Sequence, residues 1–365
     1  MPAAPAERPG VRRLRVPDAG PVRARGPGNG DSSGFSGPDL PDQVSLEPGL
    51  LHRQNAASRA PGPKRRPGFP PRCPPGSAAG VPRAPRRDPL NQVRLRTAAA
   101  AATDLGRRRS GNEDSYKLWE AGPGGAATPA DTLLVVCDGM GGSNAGEVAS
   151  RMAAETVVRE FAAAPAADAA SALTHAVEVA NTEIWDLSRT RTELNGMGTT
   201  CTVVALKGRD VLVAHVGDSR AYLVRGHRAT QLTTDHSLVA QLVARNQLSA
   251  EEARHDPRRN VVTRSVGVGP EVEVDIVQLD EPLQGGDTLV LCSDGLHGQV
   301  SDDEIAGSAM GESLDEACRA LIELANERGG PDNITVAMLR VEGAGAAPAN
   351  PIARWWRALI GRGGA

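Results

Sequence analysis

The chain has 365 residues and a formal net charge of −3, with 41 Lys and Arg residues against 44 Asp and Glu residues. No apolar run reaches the ~18 residues that a membrane-spanning helix needs, and the first residues lack the apolar core of a secretory signal. Five cysteines without a C-x-x-C pair favour a reducing compartment and argue against disulfides. We therefore expect a cytoplasmic protein.

The small net charge conceals two differently charged parts. Residues 1–92 carry 15 basic and 7 acidic residues, whereas residues 93–342 carry 23 and 37. Residues 1–90 hold 19 of the 28 prolines, and their only aromatic residues are Phe35 and Phe69. Such a segment cannot bury enough apolar surface to offset the entropy lost on ordering. Residues 1–92 are therefore predicted to be a disordered tail rich in Pro, Arg and Gly.

The basic tail leaves several interpretations open. It can contact nucleic acid, anionic lipid or the acidic part of its own chain, and it can also remain solvated without a function. A start codon assigned too early would produce the same pattern. We expect no specific nucleic-acid partner.

From about residue 100 the sequence predicts folded structure. Short β-prone runs lie at 132–137, 199–206, 211–216, 221–225, 272–279, 288–293 and 334–341. Amphipathic helices are predicted at 144–162, 168–187 and 313–327. The runs between 199 and 232 follow one another with short polar breaks, which is typical of an antiparallel meander. Strands with helices before and after them favour an α+β fold in which helices cover antiparallel sheets.

Residues 343–365 return to a Gly, Ala and Pro composition and end in a short Trp/Arg segment. Its adjacent residues Trp355 and Trp356 are flanked by Arg354 and Arg357, a pattern that permits an amphipathic helix at a membrane surface. So short a helix is not stable alone in water, and docking onto its own domain is an equal alternative. We interpret 343–365 as a linker followed by this amphipathic segment.

Acidic residues recur at the ends of the predicted strands. Asp138, Asp218 and Asp294 each follow an apolar run, and Asp332 precedes one. Asp-Gly is an ordinary turn dipeptide, so each could mark a hairpin. A glycine-rich phosphate loop at 139–142 is a second alternative, although an acid directly before it would repel phosphate and the Walker lysine is missing.

A divalent cation would reconcile acids with an anion site. Carboxylate oxygens suit a hard ion such as Mg²⁺ or Mn²⁺ and not Zn²⁺. Several carboxylates gathered together would raise one another's pKa unless cations compensate their charge. The candidate oxygen ligands are Asp138, Asp294, Asp332, Glu113 and Asp114.

Six ordered motifs between residues 100 and 341 resemble those of the PP2C (PPM) family of metal-dependent Ser/Thr protein phosphatases, and they are most similar to its bacterial members. The motifs are Thr103-Asp104-x-Gly106-x-x-Arg109-x-x-Asn112-Glu113-Asp114, Asp138-Gly139-Met140-Gly141-Gly142, Gly198-Thr199-Thr200, Gly217-Asp218-Ser219-Arg220, Ser293-Asp294-Gly295 and Gly330-Pro331-Asp332-Asn333-Ile334-Thr335. The resemblance implies a phosphatase domain at 93–342. Its expected fold is a four-layer α/β/β/α sandwich of two antiparallel sheets flanked by helices.

The resemblance also implies an inner metal site of two Mn²⁺ or Mg²⁺ ions. Asp138 would bridge the two ions and Gly139 would offer its carbonyl to one of them. Asp294 and Asp332 would complete the other.

Four further residues receive roles from the resemblance. Glu113 and Asp114 would act mainly through metal-bound waters. Asp218 would form a third, weaker site together with Asp294, and Arg109 would hold the substrate phosphate.

The implied reaction is hydrolysis of phosphoserine and phosphothreonine in proteins. A hydroxide between the two cations would attack phosphorus while Arg109 and the cations neutralise the phosphoryl oxygens. Met140 occupies the place where some relatives carry a His, so the general acid stays open. For His236 and His297 a structural role is favoured over catalysis.

We expect a monomer that opposes a bacterial Ser/Thr kinase and whose partners are phosphorylated proteins. Two alternatives remain open: a phosphatase of a phosphorylated anti-sigma-antagonist, and a non-catalytic phosphoprotein-binding relative.

Overall fold

The computed structural model describes residues 11–14, 95–122, 128–141, 145–166 and 168–344. Contacts divide the chain into two units, one of residues 1–17 with 87–365 and the other of residues 18–86, and every described residue belongs to the first unit. Most of the tail predicted at 1–92, the amphipathic segment at the C-terminus and Gly142 lie outside the described residues. Within the described part, no helix is both long and apolar enough to cross a membrane.

The strands form two antiparallel sheets. In chain order they are β1 (Val11–Leu14), β2 (Leu95–Asp104), β3 (Asp114–Glu120), β4 (Thr132–Met140), β5 (Gly198–Thr199), β6 (Cys201–Lys207), β7 (Asp210–Val216), β8 (Arg220–Arg225), β9 (Arg228–Gln231), β10 (Asp275–Leu279), β11 (Thr288–Cys292) and β12 (Ile334–Ala344). The first sheet has the order β1-β10-β7-β6-β4-β3, with β5 paired to β4, and the second has the order β2-β12-β11-β8-β9.

The helices lie between these strands in the sequence. In chain order they are α1 (Ala145–Ala163), α2 (Ala169–Thr190), α3 (Leu238–Ala244), α4 (Ala250–His255), α5 (Asp294–His297), α6 (Asp302–Ala309) and α7 (Leu314–Glu327). Side-chain caps explain several of their starts. Asp168 caps α2 and Ser313 caps α7, while Ser301 and Glu304 form a capping box at α6.

The core consists of three apolar clusters, one between each pair of neighbouring layers. Leu133, Val135 and Cys137 of β4 pack with α1 and α2 on one face of the first sheet. Leu134 and Val136, one residue out of phase, pack against the second sheet, because successive strand side chains point to opposite faces. A third cluster joins the second sheet to α5, α6 and α7. The predicted α+β sandwich with the layers α/β/β/α is confirmed.

Each run and helix predicted from the sequence corresponds to an element of the structure. The prediction missed β3 and also β2, whose core is the alanine run 98–102. Alanine has little β-propensity, but β2 pairs with β12 over ten residue pairs, and this tertiary pairing decides its conformation. Strand β1 was also not predicted, because it lies inside the segment interpreted as a disordered tail.

Candidate metal centre

The predicted acids lie at one end of the sandwich, where strands of both sheets begin or end. Asp114 opens β3 and lies directly opposite Asp138 of β4. Asp218 lies in the turn between β7 and β8, Asp294 opens α5 directly after β11, and Asp332 precedes β12. Like charges directly opposite on neighbouring strands are unfavourable, so this arrangement indicates a function other than stability.

The two Asp-Gly pairs do not form hairpin turns. Asp138 and Gly139 lie within β4, whereas Asp294 and Gly295 open a helix. Gly139 is a glycine because a Cβ there would overlap the backbone carbonyl of Gly146. The turn interpretation of these pairs is therefore wrong.

The backbone of Asp138 is held at both of its polar atoms. Its N–H donates to Oγ1 of Thr200 at 2.9 Å. Its carbonyl accepts from Oγ1 of Thr199 at 2.9 Å and from the Thr200 N–H at 2.8 Å. Burial, followed by the charges of Asp114 and Asp294, raises the pKa of the Asp138 carboxyl well above its usual range.

Asp114 is buried and held by a residue whose role the sequence did not reveal. Its Oδ2 accepts a hydrogen bond from Oγ of Ser293 at 2.7 Å, and the same hydroxyl oxygen accepts from the Thr335 N–H at 3.0 Å. Its Oδ1 is buried and has no hydrogen-bond partner among the described residues. Burial raises the pKa of Asp114 to about 7.

The carboxyls of Asp294 and Asp218 also have raised pKa values. Oδ1 of Asp294 is buried without a partner in the described structure, and burial, then the charge of Asp332, raises its pKa to about 6. Asp218 is only 6% exposed, and burial, then the charge of Asp294, raises its pKa to about 8. The Asp218 carbonyl accepts from Nε2 of His297 at 3.0 Å, which agrees with a structural role for that histidine.

The side chain of Glu113, in the loop before β3, lies against the first turn of α1. Its carboxylate accepts from the backbone N–H of Gly146, and burial raises its pKa. A carboxylate thus takes the helix N-terminus that a phosphate loop would offer to phosphate. The Glu113 N–H donates to Oδ1 of Asn333 at 2.8 Å, and Nδ2 of Asn333 donates to the carbonyls of Leu105 and Gly111. Asn333 therefore fixes the loop that carries Glu113, a role that the sequence did not reveal.

Arg109 contacts one of the predicted metal ligands. Its Nη2 donates to Oδ2 of Asp332 at 2.6 Å, while the Arg109 side chain remains 49% exposed. This hydrogen bond raises the pKa of the guanidinium further. Oδ1 of Asp332 accepts from the Asn333 N–H at 2.8 Å, so both oxygens of this carboxylate have protein partners.

The residues present fit a hard divalent cation by their chemistry. Their donors are oxygens, and the unpartnered oxygens of Asp114 and Asp294 are of the kind that a cation would satisfy. In the arrangement described, no group of three or more His, Cys, Asp or Glu side chains is spaced to hold a metal ion. Arg109 donates a hydrogen bond to Oδ2 of Asp332, so a cation that binds this oxygen would have to replace that contact.

Comparisons with known proteins agree with the fold and the site. The family model "Protein phosphatase 2C" matches residues 107–329. The serine/threonine phosphatase stp of Listeria monocytogenes serotype 4b is 39% identical over 242 residues, which are 65% of this chain and 93% of that protein. The solved structure of the Streptococcus agalactiae serine/threonine phosphatase is 38% identical with a TM-score of 0.61, and the match covers 68% of this chain and all of that one.

A further solved structure contains metal. The catalytic domain of the serine threonine protein phosphatase PstP, in complex with two manganese ions, is 34% identical with a TM-score of 0.57, over 67% of this chain and 97% of that one. The chain belongs to the protein phosphatase 2C family. It is a serine/threonine phosphatase, a hydrolase of the bacterial type, and the resemblance found in its sequence is confirmed.

Proposed function

We propose that this phosphatase hydrolyses phosphoserine and phosphothreonine in cytoplasmic proteins, acts as a monomer and opposes a bacterial Ser/Thr kinase. The observation that carries the proposal is the cluster of buried and half-buried acids at one end of the sandwich. Burial raises the pKa of Asp114, Asp138, Asp218 and Asp294, and among the described residues an oxygen of Asp114 and one of Asp294 have no hydrogen-bond partner. Acids with raised pKa values gathered in one place are typical of functional sites, and a bound cation would compensate their charge.

The proposed ligand is a set of two or three Mn²⁺ or Mg²⁺ ions. The manganese in the PstP structure supports this choice. When bound, such ions make water a nucleophile near neutral pH and neutralise phosphoryl oxygens. The residues proposed to hold them are Asp138, Gly139, Asp294 and Asp332 for an inner pair, Asp218 with Asp294 for a third ion, and Glu113 and Asp114 through water.

The protein's own contribution is to hold the acids in place before the ligand arrives. Both backbone polar atoms of Asp138 are hydrogen-bonded, and Ser293 fixes Asp114. Because the pKa of Asp114 is raised to about 7, its carboxyl is partly protonated at neutral pH and releases that proton when a cation binds.

Arg109 is proposed to hold the phosphate of the substrate. A guanidinium has five N–H donors in a planar fork, and the bond to Asp332 engages only Nη2. The half-exposed side chain therefore keeps donors for a bidentate grip on phosphate. Its contact with Asp332 would place the phosphate beside the metal ligands.

The proton donor to the leaving alkoxide stays open. His297 is bonded to the Asp218 carbonyl and His236 to the Gly217 N–H, so we propose neither of them as the general acid. Water from the metal site is favoured.

The decisive experiment compares Asp138→Asn with Asp280→Asn, an exposed acid outside the site. Hydrolysis of a phosphothreonine peptide should fall about a thousandfold in the first variant, because metal ions contribute several kcal/mol of transition-state stabilisation. It should not change in the second. Calorimetric titration with Mn²⁺ should show a lost binding event in Asp138→Asn alone. Turnover near that of the unmodified protein in a folded Asp138→Asn variant would refute the proposal.

The biological substrate requires a second experiment. A phosphoproteome comparison of cells with and without the gene should show raised phosphorylation of a Ser/Thr kinase or of its substrates. A rise confined to an anti-sigma-antagonist would favour that alternative instead.

A further inference from the structure

The edge of the first sheet is covered by a strand from far upstream in the sequence. Strand β1 pairs antiparallel with β10 over four residue pairs, from Val11 opposite Leu279 to Leu14 opposite Ile276. Without β1, the outer edge of β10 would present unpaired N–H and C=O groups, which is the kind of edge that accepts an added strand. None of the proposed metal ligands lies in β1 or β10.

The side chains of β1 reinforce the pairing on both faces of the sheet. Leu14 packs against the apolar cluster beneath α1 and α2. Arg13 points to the other face, where Nη2 donates to Oγ1 of Thr234 at 2.8 Å and Nη1 lies 3.5 Å from Oδ2 of Asp275. A four-residue strand is marginal by its backbone bonds alone, so these two side chains determine whether it docks.

Asp275 connects Arg13 to a buried histidine. Its Oδ2 lies 3.4 Å from Nε2 of His236, and its Oδ1 accepts from Nη1 of Arg264 at 2.8 Å. Hydrogen bonds from His236 and Arg264 hold the pKa of Asp275 well below its usual range. Asp275 is thus an ionised acceptor shared by Arg13, His236 and Arg264.

His236 in turn holds the turn that carries Asp218. The ring Nδ1 of His236 accepts from the Gly217 N–H at 3.0 Å, and the backbone N–H of His236 donates to the Gly217 carbonyl at 2.7 Å. Since Nδ1 is an acceptor, the ring N–H that faces Asp275 is on Nε2, which also lies 3.2 Å from Nη1 of Arg264. Gly217 has φ of +111°, and a Cβ there would lie 2.6 Å from Cβ of Thr200, so this turn requires glycine.

We propose that the outer edge of β10 is a docking surface for an extended, arginine-containing segment, and that Val11–Leu14 of the same chain occupies it. Docking fixes the turn that carries Asp218, because Arg13 reaches that turn through the contacts described above. Arg13 is a positioning residue in this arrangement. The part of the inference that concerns metal rests on the proposed function, since Asp218 is there a ligand of the third ion.

The test uses the full chain and compares Arg13→Ala with Arg12→Ala, its exposed neighbour on the same strand. Hydrogen exchange is measured without metal and without substrate. In Arg13→Ala the amides of Gly217 and His236 should exchange about two- to fivefold faster, the range for loss of a largely exposed ion pair. In Arg12→Ala they should not change. Equal rates in the two variants would overturn the coupling.

Leu14→Asp tests the docking itself. The amides of β10 should lose protection in this variant, and a fluorescent peptide containing the Val-Arg-Arg-Leu sequence should bind it more tightly than it binds the unmodified protein. Unchanged protection of β10, or absence of peptide binding, would overturn the docking surface. A concentration-dependent dimer of the unmodified protein that Leu14→Asp abolishes would show that a second copy supplies the strand, against the proposal.

A metal measurement separates this inference from the proposed function. Calorimetry with Mn²⁺ should show the weakest binding event about two- to fivefold weaker in Arg13→Ala, with the tighter events unchanged. If no variant binds Mn²⁺, the proposed function fails while the exchange result stands. If exchange is unaffected but Mn²⁺ binds normally, the coupling fails while the proposed function stands.

Discussion

Arg109→Ala separates substrate binding from metal binding. The residue contacts Asp332 through one nitrogen and remains 49% exposed, so its removal opens no cavity in the core. It removes one positive charge next to a proposed metal ligand and one proposed grip on phosphate. The first loss should leave Mn²⁺ binding unchanged or make it stronger, whereas the second should weaken binding of the phosphorylated substrate.

The magnitude follows from the kind of contact. Hydrogen bonds to charged groups contribute about 1.5–3 kcal/mol, and the exposure of Arg109 places its contact at the lower end. A loss of about 1.5 kcal/mol corresponds to roughly tenfold weaker binding. We expect KM for a phosphothreonine peptide to rise about tenfold with kcat nearly unchanged. Affinity for Mn²⁺ should stay the same or increase, because Asp332 loses its competing partner.

The assay is steady-state hydrolysis at saturating Mn²⁺, together with inhibition by free phosphate and calorimetric titration of the metal. Arg109→Lys should recover only part of the effect, since an ammonium cannot make two parallel bonds to phosphate. Arg108→Ala, at an exposed neighbouring position, is the matched control. Weaker Mn²⁺ binding with unchanged KM and unchanged phosphate inhibition would refute the clamp and make Arg109 a support for Asp332.

Two further predictions concern stability. Burial raises the pKa of Asp114 to about 7 and of Asp218 to about 8, from 3.8. The folded state therefore binds more protons than the unfolded chain between these values, and stability falls as the pH rises through them. The protein in chelator should show a lower Tm at about pH 8.5 than at about pH 5.5. Added Mn²⁺ should reverse this trend, Asp114→Asn should flatten it, and a Tm that rises with pH in chelator would contradict it. Gly139→Ala should destabilise the fold by about 3 kcal/mol in urea unfolding, because the added carbon overlaps the backbone of Gly146. Gly285→Ala, where nothing lies within 4 Å of the added carbon, should stay near the unmodified value.

Sequence periodicity was sufficient for the elements that carry the core. The β4 run is apolar at every position from Leu133 to Cys137, and both of its faces are buried. The sequence pattern did not predict β1, β2 or β3. The alanine run of β2 has no strand preference of its own, and four residues of β1 are too few to form a pattern, so both depend on partners distant in the sequence.

The acids themselves could be predicted from the sequence, because each lies beside a strand end within a short motif. Their supports could not. Ser293 reaches Asp114 across 179 residues of sequence, and Asn333 reaches Glu113 across 220. No local pattern encodes such contacts. The bond between Arg109 and Asp332, 223 residues apart, was missed for the same reason.

The acids of the site have two kinds of support, so the ions proposed to bind there need not respond alike. Asp138 lies on β4, which pairs with β3 on one side and with β6 on the other, and β6 and β7 separate it from the edge formed by β1 and β10. Asp218 lies in a turn, held by His297 at its own carbonyl and by His236 at the preceding glycine. Side-chain bonds of this kind open at lower cost than a strand ladder. The ion proposed to depend on Asp218 should therefore be the first to bind more weakly when neighbouring segments move, while the two metal ions proposed at Asp138 are retained.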